Sequence, residues 1–475
     1  MENERLIKNE ELSEYLKNLL GADENNFLNA QAEQKSIRIN NLKENYPAII
    51  DKLQNNGFKL KELPFTKIGY FLEEAPFSLS HSLGFFKGNF AFQGASSQIP
   101  PIVLDPKPGE NVLDMAAAPG SKSTQLGVLM NNSGHLVIND SNIKRMQALN
   151  ANLQKTGLIN HCVYYSAGER LGRLFPQYFD KVLLDTPCTG LGTLATHKEI
   201  KAWWSYEKLA KINGIQHQLF VSAIKATKVG GEIVYSTCSI APEENELIVE
   251  RMINKYPLEV LPIENEGLQQ FDDGWTKYKD VQLSPSLKHT KRIWSHKHGM
   301  EGFYIARLRK TEEFYNKKYP VKVGFLNTLA FDDENVSEIL TDISESWGID
   351  NSVWPNYRFH KTKERIYLFS KDVKKIVIEG FTNGGLFLAE KRLHIWKLTH
   401  PSIQHFEDKI SKRRLALDGE SLTLLFETGK CPAPQGFDGY YALEIDGKPG
   451  AIVFIQNAEV RIKLSHAFLI SDNQL

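Results

Sequence analysis

The chain reads as an α/β protein whose middle forms an open, mostly parallel sheet with helices on both faces. Three observations predict this. From about residue 96, short apolar runs alternate with helical stretches. The runs are short, and each is followed by a helical segment or a long loop. Every string suited to chemistry lies just after an apolar run, and such folds bind ligands at the carboxyl ends of their strands.

The elements follow in order. The first 60 or so residues read as helical: LSEYLKNLL, then INNLKENYPAIIDKLQNNG, closed by Gly57. ENVLDM is a short buried strand and SKSTQLGVLMNNSG a helix ending in glycine. HLVIND is a strand, SNIKRMQALNANLQKTG a helix, and CVYYS, FDKVLLD and GGEIVYSTCS are further strands. GFYIARLRK reads as the last strand of the series. TEEFYNKKYPVKVG looks like a connector. Beyond it RIYLFS, KIVIEGF, LTLLFETG, YYALEIDGKPGAIVFI and VRIKLS are strand-like, with a turn at Asp446-Gly447. The expected units are 1–95, 96–311, a connecting α+β segment at 312–400, and a small β-rich domain at 401–475.

The 475 residues exceed one ordinary domain, and 41% are hydrophobic, which excludes a disordered chain. The charged N-terminus has no apolar signal core, so a cytoplasmic protein is expected. The four cysteines lie too far apart for a disulfide framework or a paired metal site. His296 and His298 have no close carboxylate or thiol, and no metal is expected. With 57 basic and 57 acidic residues the net charge is zero, which weighs mildly against a nucleic-acid partner. The stretch from Lys288 to Lys310, however, is locally basic with interleaved aromatics. It reads either as a solvated face or as a source of RNA affinity.

Three strings carry chemistry. Asp114-Met-Ala116-Ala117-Ala118-Pro119-Gly120-Ser121-Lys122 links a strand to a helix. Small residues let a ligand approach the backbone, and the helix N-terminus offers free N–H groups. Asp140 ends the next strand, where an acid reaches a ribose hydroxyl in doubly wound folds. Asp185-Thr-Pro-Cys188-Thr-Gly follows an apolar strand, which places a partly desolvated carboxylate and a loop cysteine together. Tyr235-Ser-Thr-Cys238-Ser presents a second thiol at a strand end, just before the helix start Pro242-Glu-Glu-Asn-Glu.

The strings SIRINNLK, with Arg38, Asn40, Leu42 and Lys43, PPIVLDPKPGENVLDMAAAPGSKSTQL, LLDTPCTGLGT, GGEIVYSTCSIAPEENE and HGMEGFYIARLRK resemble the RNA cytosine-5 methyltransferases of the Sun/Fmu group. The resemblance implies a Rossmann-like S-adenosylmethionine-dependent methyltransferase domain, an N-terminal helical RNA-binding subdomain and a C-terminal PUA-like RNA-binding region. It implies S-adenosylmethionine as cofactor, held by Ala116–Lys122, Asp140 and Asp185, with Asp185 also near the target base. It makes Cys238 the nucleophile and Cys188 the cysteine that helps release product. The implied partner is RNA, ribosomal ahead of transfer RNA, bound by a monomer. Two departures stand out. Tyr165-Ser166-Ala167-Gly168 lacks the acid that often contacts adenine, and Thr193-Leu-Ala-Thr196 lacks the usual basic residues. A DNA cytosine-5 methyltransferase would use the Pro-Cys cysteine instead, and Ser-Thr-Cys-Ser speaks against it. An RNA-binding assembly factor with a relic catalytic domain is the reading from another class; binding of S-adenosylmethionine separates the two.

Overall fold

The computed structural model describes residues 9–43, 46–314, 323–392 and 394–464. The connector at 311–324 lies mostly outside them. The first helix, Glu10–Leu20, is capped by Asn9, whose side chain accepts from Leu12 N at 3.2 Å. Its buried residues Leu12, Tyr15 and Leu16 share one face and pack against Trp204, Ile240 and Trp294.

The N-terminal unit is not purely helical, which corrects the expectation. Ser36–Ile39 is a buried strand (β1), and the helix expected from Ile39 onward begins only at Tyr46. Alternating Ile37 and Ile39 favour extended backbone, and the Asn40 side chain accepts from Leu42 N to turn the chain. Strands β2 (Lys59–Glu62), β3 (Gly69–Glu74) and β4 (Phe90–Phe92) complete an antiparallel sheet of order β2-β3-β1-β4. Helix Tyr46–Asn55 buries Ile49 and Leu53 among the residues of that sheet.

The central sheet is built as the alternation predicts. β5 (Asn111–Asp114), β6 (His135–Asp140), β7 (His161–Tyr165), β8 (Phe179–Asp185) and β9 (Thr227–Thr237) are parallel, in the order β9-β8-β5-β6-β7. Successive residues of one strand serve opposite faces. Val182 and Leu184 enter one core and Leu183 the other, and both faces are covered. β10 (Leu258–Leu261), β11 (Asp272–Asp273), β14 (Lys291–Ile293) and β15 (Phe303–Lys310) extend the sheet antiparallel beyond β9, and β12 (Lys277–Tyr278) with β13 (Val281–Gln282) forms a separate hairpin. The chain runs β5-β6-β7 in one direction and returns to place β8 on the other side of β5. The switch point therefore lies between β5 and β8.

The sheet does not end at residue 311. After β16 (Phe325–Asn327), β17 (Tyr357–Lys361), β18 (Arg365–Ser370) and β19 (Lys375–Val377), strand β20 (Phe381–Gly384) pairs antiparallel with β7. With β21 (Leu386–Arg392) and β22 (Ile395–Leu398), β17 and β18 form their own four-stranded sheet. The terminal unit joins β23 (Arg414–Leu415), β24 (Lys430–Pro432), β25 (Gly439–Ile445), β26 (Lys448–Gln456) and β27 (Glu459–Arg461). Asp446 and Gly447, both at positive φ, turn β25 into β26. LTLLFETG, expected as a strand, is instead the helix Gly419–Thr428. Asp418 caps it by accepting from Ser421 N, and Leu422, Leu425 and Phe426 share its buried face.

No helix among the described residues is long and apolar enough to cross a membrane.

Candidate active site

The three strings converge at the switch point. Lys122, in the first turn of helix Ser121–Leu129, reaches from the end of β5 to Asp185 at the end of β8, Nζ to Oδ2 2.8 Å. The other Asp185 oxygen accepts from Ser236 Oγ on β9 at 2.7 Å. Burial opposes the charge of Lys122, but the Asp185 carboxylate more than offsets it and raises its pKa above the ordinary lysine value.

The two cysteines meet. Cys188 Sγ lies 3.0 Å from Cys238 Sγ, although the residues are 50 positions apart. The hydrogen bond to Cys238, then burial, raises the Cys188 thiol well above its ordinary pKa. Cys162 is buried inside β7 and Cys431 is buried in the terminal unit, both away from this pair.

The motif after Cys238 explains the convergence. In Pro242-Glu243-Glu244-Asn245-Glu246 each polar side chain holds a different piece. Glu243 accepts from Tyr15 OH at 2.7 Å and from Tyr278 OH at 3.2 Å. Glu244 is fully buried and accepts from Thr189 N at 2.8 Å and Thr189 Oγ1 at 2.5 Å, which fixes the Cys188 loop. Burial raises its pKa above the usual carboxylate value. Asn245 donates to Ser239 O and accepts from Thr237 Oγ1, flanking Cys238. Glu246 pairs with Arg292. In the sequence this string reads only as a helix start. Its run of consecutive polar residues between apolar segments is the available signal, since charges that become buried need partners.

Gly192 packs where no side chain fits. A Cβ there would meet Gly302 O at 2.0 Å and Cys238 O at 2.8 Å. Gly192 N donates to Cys238 O and Gly302 N to Gly192 O. The Thr193–Thr196 segment without basic residues is thereby tied to the cysteine loop and to the start of β15.

Asp140 is buried, with both carboxylate oxygens engaged. Oδ2 accepts from Ala118 N at 2.8 Å and Oδ1 from Asn142 N at 2.7 Å, so it shapes the Ala116–Gly120 loop. Gly120 takes a positive φ of 98° and caps helix Ser121–Leu129 without a side-chain bond, which leaves that first turn's N–H groups open to a ligand. Ser166 and Ala167, where the acid is missing, are held by Asn139, whose Nδ2 donates to Ser166 O at 3.1 Å. Arg38 crosses from β1 and donates to Ser121 O and Thr124 Oγ1 at 2.9 Å, which fixes the N-terminal sheet to the same helix.

Three polar atoms at these strand ends are buried without a partner: Asp114 Oδ1, Asn139 Oδ1 and Thr186 Oγ1. Burial pushes the Asp114 carboxyl up to about 7 despite a bond from Ser123 Oγ. Unpaired acceptors beside free helix N–H groups suit a ligand that carries both an amino group and a carboxylate, as S-adenosylmethionine does. Among the described residues there is no cluster of three or more His, Cys, Asp and Glu placed to hold a metal.

The basic stretch Lys288–Lys310 is mostly consumed internally, which corrects the reading of it as a solvated face or an RNA contact. Arg292 is buried in a two-point pair with Glu246, and Lys291 pairs with Asp273 at 2.8 Å. Arg307 bonds Glu232, and Lys310 donates to Ile224 O and Thr227 O. The cause is position: β14 and β15 are strands of the central sheet.

This parallel sheet, with its loops and switch-point pair, is the fold of the S-adenosylmethionine-dependent methyltransferases. The family model described as 16S rRNA methyltransferase RsmB/F matches residues 101–309. The ribosomal RNA small subunit methyltransferase F of Aeromonas hydrophila is 31% identical, over 80% of this chain and 79% of that protein. The 26S rRNA (cytosine-C(5))-methyltransferase nsun-1 of Caenorhabditis elegans is 34% identical over 61% of this chain, which spans only 44% of that protein. A solved methyltransferase homolog protein from Pyrococcus horikoshii is 34% identical with TM-score 0.58, over 63% of this chain and 94% of that one. NSun6 from Pyrococcus horikoshii, solved with SFG, an analogue of S-adenosylmethionine, is 25% identical with TM-score 0.55, over 64% of this chain and 98% of that one. The chain belongs to the RsmB/F family of RNA methyltransferases.

Proposed function

We propose that the protein methylates carbon 5 of a cytosine in ribosomal RNA, using S-adenosylmethionine and a covalent cysteine adduct. The observation that carries this reading is the meeting of Cys188 and Cys238 beside the Lys122–Asp185 pair. The names of two relatives, a 26S and a 25S rRNA (cytosine-C(5))-methyltransferase, support the substrate and the position methylated, and the name ribosomal RNA small subunit methyltransferase F supports ribosomal RNA.

Carbon 5 of cytosine is a poor nucleophile while the ring is aromatic. The Cys238 thiolate adds to carbon 6, which forms a carbon–sulfur bond and moves electron density to carbon 5. Lys122, close enough to Cys238 to feel its charge, offsets the negative charge of that thiolate. Asp185, positioned by Lys122 and Ser236, holds the polar edge of the base. S-adenosylmethionine, held by Ala116–Lys122 and Asp140, supplies an electrophilic methyl group when bound. Cys188 helps remove the carbon 5 proton, and the carbon–sulfur electron pair returns to Cys238. The cytosine must leave its stack to reach the thiol, at about a few kcal/mol. The N-terminal unit (1–95) and a PUA-like terminal domain (401–475) supply RNA affinity in this reading, and the protein acts as a cytoplasmic monomer without a metal.

The test uses the full chain with small-subunit ribosomal RNA, transfer RNA and labelled S-adenosylmethionine, followed by bisulfite sequencing. Methylated cytosine should appear in ribosomal RNA and vanish in Cys238→Ala. Label confined to transfer RNA would move the substrate. Failure to bind the cofactor by calorimetry would favour the relic-domain reading. Asp140→Ala removes two loop bonds and the expected ribose contact. It should weaken cofactor binding by roughly 10- to 150-fold.

A further inference from the structure

A groove opens where β4 and helix Leu83–Lys87 face helix Ile143–Thr156 and the C-terminal unit. Its two ends share Phe85, Asn152 and Lys155, so it is continuous. One end reaches Ser121, the neighbour of Lys122, and the other reaches Lys463. Its walls include Arg38, Lys155 and Lys463, and no carboxylate among the described residues, in a chain whose acids and bases are equal in number. Phe92 is 39% exposed, with its ring 5.6 Å from that of Phe85. The Lys155 ammonium lies 3.3 Å from the Phe85 ring centroid. Burial lowers its pKa to about 8.

We infer that this groove binds a single-stranded segment of the RNA beside the target cytosine, with a base on Phe92 and phosphates on Lys155 and Lys463. The inference rests on the RNA-methylating reading and adds where the flanking strand runs. Aromatic faces accept any base, and lysines neutralise phosphates in proportion to the contacts made. Continuity with Ser121 places the strand at the cofactor loop, where binding along the groove can offset the cost of unstacking the target. A run of Asp and Glu would meet the same cations but has no flat rings to place on Phe92, whereas every nucleotide carries both a phosphate and a ring, so RNA is the better fit.

The test measures binding of a labelled oligouridylate to the full chain across a salt series, with an oligoglutamate as competitor. Phe92→Ala should weaken binding by about 5- to 150-fold, and Phe92→Tyr should restore it. Lys463→Gln should make the salt dependence shallower by about 0.7 for each phosphate it no longer neutralises. Cofactor affinity should be unchanged in all three variants, which shows that they remain folded. Unchanged affinity and slope in both Phe92→Ala and Lys463→Gln, or displacement of the RNA by oligoglutamate at equal charge, overturns the inference. Methylation of ribosomal RNA by the unaltered protein is scored separately. Its absence defeats the RNA-methylating reading, whereas the groove stands or falls on affinity.

Discussion

The carboxyl ends of β8 and β9 and the basic stretch from Lys288 to Lys310 both stand out in the sequence, the first for its cysteines and the second for its cations. At the strand ends, polar groups are gathered from different segments: Cys188 meets Cys238, and Asp114, at the end of the neighbouring β5, keeps an unpaired oxygen. In β14 and β15 the reverse holds, and most of the cations are spent on internal carboxylates and carbonyls. The difference is one of position along a strand. Residues within a sheet must satisfy neighbours, whereas residues just past a strand's carboxyl end face a cleft.

The sharpest test of the first region is the division of labour between the thiols. If Cys238 forms the carbon–sulfur bond and Cys188 helps to break it, Cys188→Ala should accumulate protein cross-linked to RNA. Cys238→Ala and the double variant should show none. Denaturing gels with labelled RNA and S-adenosylmethionine read the shifted band. An adduct that survives in Cys238→Ala and disappears in Cys188→Ala would reverse the roles.

For the second region, Arg292→Ala leaves Glu246 buried and unpaired. Breaking such a pair costs about 3–5 kcal/mol. The urea midpoint should fall accordingly, while the salt slope of RNA binding in the surviving folded protein stays constant. A shallower slope at unchanged stability would return Arg292 to the RNA.

The strand ends are legible because their chemistry is contiguous. Asp185 and Cys188 share one string, Cys238 the next, and the alternation of strand and helix fixes where each string falls. Less legible is anything assembled across the chain. Arg38, Lys155 and Lys463 meet in one groove from three distant segments, and no local pattern marks that. The Ile37–Ile39 alternation lies against a helical run that begins only at Tyr46, and periodicity read across both gives one false helix. LTLLFET reads as a strand because its apolar run hides the Asp418 cap. β20 carries no sign in its Phe-Thr-Asn-Gly sequence that it pairs with β7.

Two buried carboxylates extend the comparison to pH. Glu246 has a guanidinium, whereas Asp114 has one hydroxyl donor, and burial raises its pKa from 3.8 to about 7. The folded protein therefore retains a proton that the unfolded chain releases. The Asp114 contribution to stability is full below about pH 4 and declines as pH rises toward about 7, by a few kcal/mol at most. Asp114→Asn should flatten that part of the stability profile, read as the difference in urea midpoint between the two proteins across the window. A wild-type profile that rises through the same window, with the variant parallel to it, would mean that Asp114 is ionised and paired.

The smallest effects belong to the exposed rim of the basic stretch. Lys297 pairs with Asp272 at 2.9 Å and Arg309 with Glu259 at 3.1 Å, with side chains close to half exposed. Such pairs contribute less than about 1 kcal/mol, so Lys297→Ala and Arg309→Ala should barely move the melting temperature. Their diagnostic value lies in RNA binding. A cation that neutralises a phosphate of a single strand carries roughly 0.7 of the salt slope, and one already held by a carboxylate carries almost none. Both variants should therefore keep the wild-type slope, whereas Lys463→Gln should not. If the rim variants lose slope and Lys463→Gln does not, the RNA runs over β14 and β15. The groove through Lys155 and Lys463 would then be only a seam between structural units.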